Sequence, residues 1–184
     1  MTARVIDGKL IGEEIRKEVA EGVRQRLEAG KSRPGLATVL VGENPASQVY
    51  VKSKQKACAE VGIESFGYAL PREAGQEEVE KLVKKLNAEP AVNGILVQLP
   101  LPSGFDEEKI LSAISIEKDV DGFHPLNIGR LAQKGRDPLF VPCTPAGVIY
   151  MLERELPSLE GANAVVLGRS NIVGMPVADR KSVV

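Results

Sequence analysis

The sequence is poor in the residues that build disulfide frameworks and metal centres. Among 184 residues there are two cysteines and one histidine. Cys58 and Cys143 lie far apart and lack Cys-x-x-Cys spacing, which argues against such frameworks and fits a reducing cytosol. His124 has no second histidine or cysteine ligand near it, so we interpret it as a structural residue.

The sequence also lacks a large excess of either charge and any long apolar run. A net charge of −1 without a basic run weighs against a nucleic-acid or anionic-membrane partner. No apolar run is long enough to cross a bilayer, and the first ten residues, MTARVIDGKL, lack the apolar core of a signal peptide. The remaining composition, 43% hydrophobic and 27% charged, is typical of a globular protein with one core, or one domain and part of another.

The order of apolar patterns predicts an α/β protein with a parallel sheet. Apolar side chains at every fourth position from Ile11 to Leu27 predict a first helix that is closed by Gly30. Short apolar runs predict three strands, at 36–41, 64–70 and 94–99. A helical pattern follows each of the first two runs, and such alternation indicates a parallel sheet covered by helices.

One lysine stands out in the helix predicted after the first strand. Asn44 is a good N-cap, Pro45 fits the first helical position, and Gly62 is a natural stop. At 100° per residue, Lys54 falls on the apolar stripe with Tyr50, whereas Lys52, Lys56 and Glu60 face away. Partly apolar surroundings disfavour a charged lysine and suit it to acid–base chemistry. The alternative is a snorkelling side chain whose head lies in water.

A second polar side chain is predicted near the same place. Gln98 ends the third apolar run and precedes LPLP, in which the bond before Pro100 can be cis or trans. Ligands of parallel α/β sheets bind beyond the carboxyl ends of the strands. Because the Lys54 helix also begins after a strand end, we expect Gln98 and Lys54 to face the same crevice. In these apolar surroundings the Gln98 side chain needs a hydrogen-bond partner, which can be a ligand.

The stretch KDVDGFHPLNIGRL, residues 118–131, is interpreted as a loop. Asp119 and Asp121 can bind a ligand or simply form turns, and the aspartate spacing of a calcium loop is not completed. Thr144 and Pro145 then predict the start of a helix that connects two lobes.

NAVVLGRSNIVGMP, residues 163–176, is interpreted as a strand, a glycine turn and a helix start. Gly168 and Gly174 flank the turn, and Ser170 and Asn171 can cap the helix. This is how a dinucleotide-binding unit opens, although the spacing is not Gly-x-Gly-x-x-Gly. Arg169 lies where an arginine can meet a 2′-phosphate, which favours NADP over NAD.

Five stretches together resemble the successive motifs of the bifunctional methylenetetrahydrofolate dehydrogenase/methenyltetrahydrofolate cyclohydrolase family. They are VGENPASQVYVKSKQKACAEVGI, GILVQLPLP, KDVDGFHPLNIGRL, PCTPAGV and VVLGRSNIVGMP, and they occur in family order as far as Pro176. The resemblance implies NADP-dependent oxidation of methylenetetrahydrofolate and hydrolysis of the product to formyltetrahydrofolate. It also implies a cytosolic homodimer that acts in one-carbon metabolism and purine biosynthesis, with neither a nucleic-acid nor a membrane partner.

The same resemblance assigns roles to individual residues. Lys54 matches the catalytic lysine, Tyr50 the residue that stacks on the folate, and Gln98 the residue that tunes the lysine. Asp121 matches the carboxylate that grips the pterin. The implied folate-binding set is Tyr50, Lys54, Val97, Gln98, Leu99, Pro100 and Asp121. The implied cofactor-binding set is Cys143, Thr144, Gly168, Arg169 and Ser170, and no metal is implied.

The implied architecture is a three-layer α/β folate-binding catalytic domain over residues 1–142, a connecting helix over 143–160, and the beginning of a Rossmann-type NADP-binding domain over 161–184. The family continues for about a hundred residues beyond Pro176, as a second domain of ordinary size requires. We therefore expect a truncated form with weak NADP binding and an unpaired NAVVLG segment. Two other hypotheses are an inactive folate- or partner-binding module and an unrelated NADP-dependent oxidoreductase.

Overall fold

The structure, a computed structural model, describes residues 5–181. Its elements in chain order are α1 (Gly8–Glu28), β1 (Gly35–Val41), α2 (Pro45–Val61), β2 (Glu64–Leu70), α3 (Gln76–Ala88), β3 (Gly94–Val97), α4 (Glu107–Ser112), a 3₁₀ turn (Ile116–Lys118), α5 (Pro125–Leu131), α6 (Cys143–Glu155) and α7 (Gly174–Lys181). The chain divides into two compact units: residues 15–120 form one, and residues up to Glu14 together with those from Asp121 onward form the other.

The unit of residues 15–120 is built on a three-stranded sheet. The strand order is β2-β1-β3, and β1 pairs in parallel with both neighbours. Thr38, in the middle of β1, lies in register between Gly67 of β2 and Leu96 of β3. The parallel α/β arrangement predicted from the sequence is therefore confirmed, with β1 and β2 at nearly the predicted bounds.

Helices cover both faces of this sheet. Successive side chains of a strand point to opposite faces. Ala37, Val39 and Val41 of β1 are buried in a cluster that includes Val79 and Val83 of α3. The helix α2 packs against β1 and β2. Its approach to β2 is close, because a Cβ placed on Gly67 would lie 2.5 Å from Nε2 of Gln55 in α2. The sheet is thus the middle of three layers.

The other unit is helical over the residues that the structure describes. Its helix α7 packs against α6 and α5. Ile149 of α6 is 2% exposed, and Arg154 of the same helix pairs with Glu14 at 2.6 Å. Asn127 of α5 is fully buried, and its Oδ1 accepts a hydrogen bond from the backbone N–H of Leu139 at 2.9 Å. This buried amide fixes the segment between α5 and α6.

Several sequence predictions are wrong in detail. The predicted loop 118–131 contains α5, because His124 caps that helix through Nδ1, which accepts from the backbone N–H of Leu126 at 3.1 Å. The helix predicted to start with Thr144 begins at Cys143, so Thr144 is not its N-cap. The predicted stripe of α1 is buried only in part, because Ile15 and Val19 are more than a third exposed.

The strand pattern at NAVVLG does not form a strand, and the expectation that this segment is unpaired is confirmed. Residues 163–170 belong to no helix or strand, and Val165 and Leu167 are 90% and 97% exposed. A parallel strand needs a neighbour to accept and donate its ladder hydrogen bonds, and none lies beside this segment among residues 5–181.

Candidate active site

The helix α2 starts and ends on the signals that its sequence carries. The Asn44 side chain accepts a hydrogen bond from the backbone N–H of Ser47 at 3.1 Å, and Pro45 occupies the first turn. Gly62 ends the helix in the left-handed conformation, with φ of 82°. Both ends of α2 are therefore fixed locally, and this fixes the position of Lys54 along it.

The buried stripe of α2 is rotated from the one that the sequence pattern predicts. Its buried residues are Ser47, Val51, Cys58 and Val61. Tyr50 is 62% exposed, so it does not lie along that stripe, whereas Lys54 falls near its middle and is half-buried. The prediction for Tyr50 is wrong because Ser47, a small polar residue, packs inward and shifts the buried face.

Lys54 is joined to Gln98 across the edge of the sheet. The Lys54 ammonium donates to Oε1 of Gln98 at 3.0 Å. The Gln98 amide nitrogen donates in turn to the carbonyl oxygen of Leu99 at 2.7 Å. Gln98 also extends the ladder beyond β3, because its backbone N–H donates to the carbonyl of Val39 at 2.8 Å. The structure thus brings these two side chains together, as the sequence led us to expect.

A cavity of about 580 Å³ opens at the same edge of the sheet. It is lined by residues of the three loops that follow β1, β2 and β3, among them Gly42, Arg72 and Pro100. Parallel α/β proteins bind ligands beyond the carboxyl ends of their strands. Neither Lys54 nor Gln98 lines this cavity, but the loop that starts at Gln98 contributes residues 100–102 to its wall, so this edge is the best candidate for an active site.

The residues around Gln98 differ in what they can offer a ligand. Val97 is 1% exposed and its side chain packs in the hydrophobic core, so that side chain is not accessible to a ligand. Leu99 is half-buried against that core, and Pro100 is exposed. The Leu99–Pro100 peptide bond is cis.

The two aspartates of the 118–131 stretch fall in different settings. Asp119 is 1% exposed and forms a parallel bridge with Ile95 of β3. Asp121 is half-buried and is the first residue after the unit that holds the sheet. Its role as a pterin ligand remains a prediction.

The remaining predicted residues lie in the helical unit. Cys143 and Thr144 are exposed in the first turn of α6. Ser170 caps the start of α7, because its Oγ accepts from the backbone N–H groups of Val173 and Gly174 at 3.2 Å each. A Cβ on Gly174 would lie 2.4 Å from the carbonyl oxygen of Gly168, so the turn closes only with glycine at 174. Arg169 is exposed.

Sequence reasoning missed the side chains that hold the loop after Gln98. Glu107, the first residue of α4, accepts a hydrogen bond from the backbone N–H of Leu101 at 2.7 Å. Gln76 of α3 accepts from the backbone N–H of Asp106 at 3.0 Å. The run Asp106–Glu107–Glu108 does signal the first turn of a helix, but nothing in it signals a contact with Leu101.

Residues 5–181 contain no group of three histidine, cysteine or acidic side chains placed to hold a metal ion. Burial raises the pKa of the Cys58 thiol, which keeps that thiol protonated. Over the same residues no helix has the length and apolar character needed to cross a membrane.

The fold and the lysine–glutamine pair define an α/β protein with an enzyme-like polar site at the carboxyl edge of a parallel sheet. Residues 6–121 match the family model for the tetrahydrofolate dehydrogenase/cyclohydrolase catalytic domain, and residues 142–180 match that for the NAD(P)-binding domain. The chain belongs to the tetrahydrofolate dehydrogenase/cyclohydrolase family.

Similar proteins carry names that agree with this family. "Bifunctional protein FolD 2" of Arabidopsis thaliana is 58% identical over 177 residues, which cover 96% of this chain and 59% of that protein. "Bifunctional protein FolD 4, chloroplastic" of the same plant is 57% identical, over 96% of this chain and 49% of that protein.

A solved structure agrees with both the fold and the family. It is the N5,N10-methylenetetrahydrofolate dehydrogenase-cyclohydrolase of Trypanosoma brucei, complexed with NADP cofactor and inhibitor. It is 41% identical, with a TM-score of 0.94 over 99% of this chain and 62% of that chain. The chain therefore spans 49% to 62% of the length of these relatives.

Proposed function

We propose that this chain carries the folate site of an NADP-dependent methylenetetrahydrofolate dehydrogenase and methenyltetrahydrofolate cyclohydrolase. The observation that carries the proposal is the 3.0 Å hydrogen bond from Lys54 to Gln98 at the carboxyl edge of the sheet. The names of the relatives support the reaction class, and they favour an enzyme over an inactive binding module.

Lys54 is the acid–base residue of this proposal. Hydrolysis of a methenyl group requires a proton to leave the attacking water and a proton to reach the departing nitrogen. One amine, held beside the reacting carbon, can take up the first proton and donate the second. Gln98 accepts a hydrogen bond from the lysine and so limits the directions in which its remaining N–H bonds can point.

Tyr50 and Asp121 complete the proposed contacts with the folate. Tyr50 is 62% exposed and lies one turn before Lys54 on α2, where a flat aromatic group of the substrate can stack on its ring. Asp121 offers a carboxylate, which can accept two hydrogen bonds from the amino and ring N–H groups of a pterin.

NADP is the proposed cofactor, and the turn before α7 fits it. At this helix N-terminus a phosphate would take the place of the Ser170 hydroxyl as the acceptor for the N–H groups of Val173 and Gly174. Gly168, Arg169 and Ser170 would hold that phosphate, with Cys143 and Thr144 toward the nicotinamide. When bound, NADP supplies a hydride acceptor for the methylene carbon.

Compartment, assembly and pathway are part of the proposal too. We place the protein in the cytosol as a homodimer that supplies one-carbon units for purine biosynthesis, although one relative is named as chloroplastic. Cell fractionation tests the compartment, and sedimentation equilibrium tests the dimer.

The decisive test compares two lysines of the same helix. Lys54→Met should reduce methenyltetrahydrofolate hydrolysis to the buffer rate, because no other acid–base group is proposed at the reacting carbon. Lys52→Met is the matched control, since Lys52 is exposed on α2 and should leave turnover unchanged. Circular dichroism and thermal unfolding verify that both variants fold. Wild-type turnover in Lys54→Met would leave Lys54 as a half-buried lysine without a catalytic role.

A further inference from the structure

The loop that carries Gln98 into the candidate site has few backbone donors of its own. Between Leu99 and Pro102, only the two leucines have an N–H group, because proline has none. The N–H of Leu101 donates to the Glu107 carboxylate at 2.7 Å. Leu101 is 8% exposed and Glu107 is half-buried, so this contact is partly buried. Glu107 thus holds the middle of the loop from the first turn of α4.

The far end of the same loop is held by Gln76 of α3. Its side-chain oxygen accepts from the backbone N–H of Asp106 at 3.0 Å, and its amide nitrogen donates to the carbonyl of Asp106 at 3.3 Å. Gln76 thus holds the loop at the point where it enters α4. Glu107 is the contact nearer to Gln98.

The carbonyl of Leu99 decides which way the Gln98 amide faces. A lysine ammonium only donates, so it must meet the oxygen of the amide and not its NH₂ group. The NH₂ group of Gln98 is turned away because it donates to the Leu99 carbonyl at 2.7 Å. If that carbonyl moved, the amide could rotate and present two donors to Lys54.

We propose that Glu107 is a positioning residue for Lys54. Its carboxylate holds the Leu101 N–H and so sets the course of the loop. The course of the loop places the Leu99 carbonyl, which orients the Gln98 amide. The Gln98 amide in turn holds the Lys54 ammonium. Glu107 itself touches neither substrate nor cofactor. The effect of Glu107 on catalysis rests on the proposed function, whereas its effect on the Lys54–Gln98 hydrogen bond does not.

The alternative role for Glu107 is purely electrostatic. Acidic residues in the first turn of a helix interact favourably with its dipole, whatever else they contact. Glu107 and Glu108 share that position in α4, and Glu108 is exposed. An effect of charge on α4 should therefore be shared by the two residues, whereas an effect through Leu101 belongs to Glu107 alone.

Three variants separate the two roles. Glu107→Asp keeps the charge but shortens the side chain, so its carboxylate falls short of Leu101. Glu107→Gln loses the charge but keeps an oxygen that can accept the same hydrogen bond. Glu108→Gln is the matched control, because it loses one charge in the same turn. All three changes are small, and thermal unfolding verifies that the variants fold.

The first readout does not depend on any activity. A limiting dose of an amine-acylating reagent modifies the folded 184-residue chain, and peptide mass spectrometry gives the ratio of Lys54 to Lys52 labelling. Losing one hydrogen bond from the ammonium should raise this ratio about threefold or more in Glu107→Asp. We expect wild-type ratios in Glu107→Gln and Glu108→Gln.

The second readout is cyclohydrolase kinetics. In Glu107→Asp we expect kcat to fall about tenfold while KM changes less than about twofold, since the lysine is misplaced but the binding surface remains. If Glu107→Gln shows the defects and Glu107→Asp does not, charge alone is at work and the proposal is wrong. An unchanged labelling ratio in Glu107→Asp also overturns it. A wild-type chain without turnover would instead count against the proposed function, and the labelling would still decide the role of Glu107.

Discussion

Thr38 offers a direct test of how the sheet beneath α2 is packed. It lies at the centre of β1 and is 1% exposed, and its hydroxyl has no hydrogen-bond partner among residues 5–181. Thr38→Val replaces the hydroxyl with a methyl group of similar size and keeps the β-branched shape that suits a strand. We expect this variant to be more stable than the wild type.

The size of the effect follows from two contributions. A buried hydroxyl without a partner costs about 1–3 kcal/mol in proteins. Burying a methyl group in its place adds up to about 0.8 kcal/mol. Because valine and threonine have the same branched shape, we expect a gain of about 1–2 kcal/mol in the free energy of unfolding.

Urea unfolding followed by circular dichroism measures this gain. With a slope of about 2 kcal/mol/M, the midpoint should rise by about 0.5–1 M. Thr38→Ser is the control, because it keeps the hydroxyl and loses the methyl, so its midpoint should fall. If Thr38→Val were no more stable than the wild type, the hydroxyl would have a partner in solution, such as a buried water, and the reasoning would fail.

Three further predictions concern the site and its surroundings. Asp121→Asn replaces an acceptor with a donor, so the affinity for folate, measured by equilibrium dialysis, should fall sharply while NADPH binding stays the same. If the variant bound folate as tightly as the wild type, Asp121 would be a turn residue. Hydrogen bonds from Lys109 and from Gln76 hold the pKa of Glu80 below the usual glutamate value, so their stabilisation is fully present above that usual value and is lost as the pH falls through the lower folded-state pKa. Urea midpoints across that range should show less acid sensitivity in Glu80→Gln, and an unchanged profile would contradict the assignment. NADPH should bind only weakly in fluorescence titrations, because residues 163–170 form no strand beside the phosphate turn, and micromolar binding by a monomer would refute this.

The parts of the fold that local chemistry determines could be predicted from the sequence. The bounds of α2 follow from Asn44, Pro45 and Gly62, each of which acts on its own neighbours. The strands β1 and β2 follow from short apolar or aromatic runs between turn residues. The meeting of Lys54 and Gln98 follows from a rule about parallel sheets, since both come directly after strand ends.

The failures share a dependence on contacts that are distant in sequence. The exposure of Tyr50 depends on which face of α2 meets the sheet, and Ser47 gave no apolar signal for that choice. The helix α5 was missed because its cap is a histidine, which is outside the usual set of capping residues. The NAVVLG run is not one of these failures: it has the composition of a strand, but pairing needs a neighbouring strand, and the segment is unpaired as expected.

The division of the chain into two units has a consequence for synthesis. Residues 15–120 form one unbroken segment, whereas the other unit combines residues up to Glu14 with those from Asp121 onward. A ribosome releases the chain from its N-terminus, and units fold as their residues emerge. The sheet can therefore form, and Lys54 can bond to Gln98, before the helices α5 to α7 of the other unit have been synthesised. Nascent chains arrested some distance beyond Val120 should already show the same ratio of Lys54 to Lys52 labelling as the finished protein.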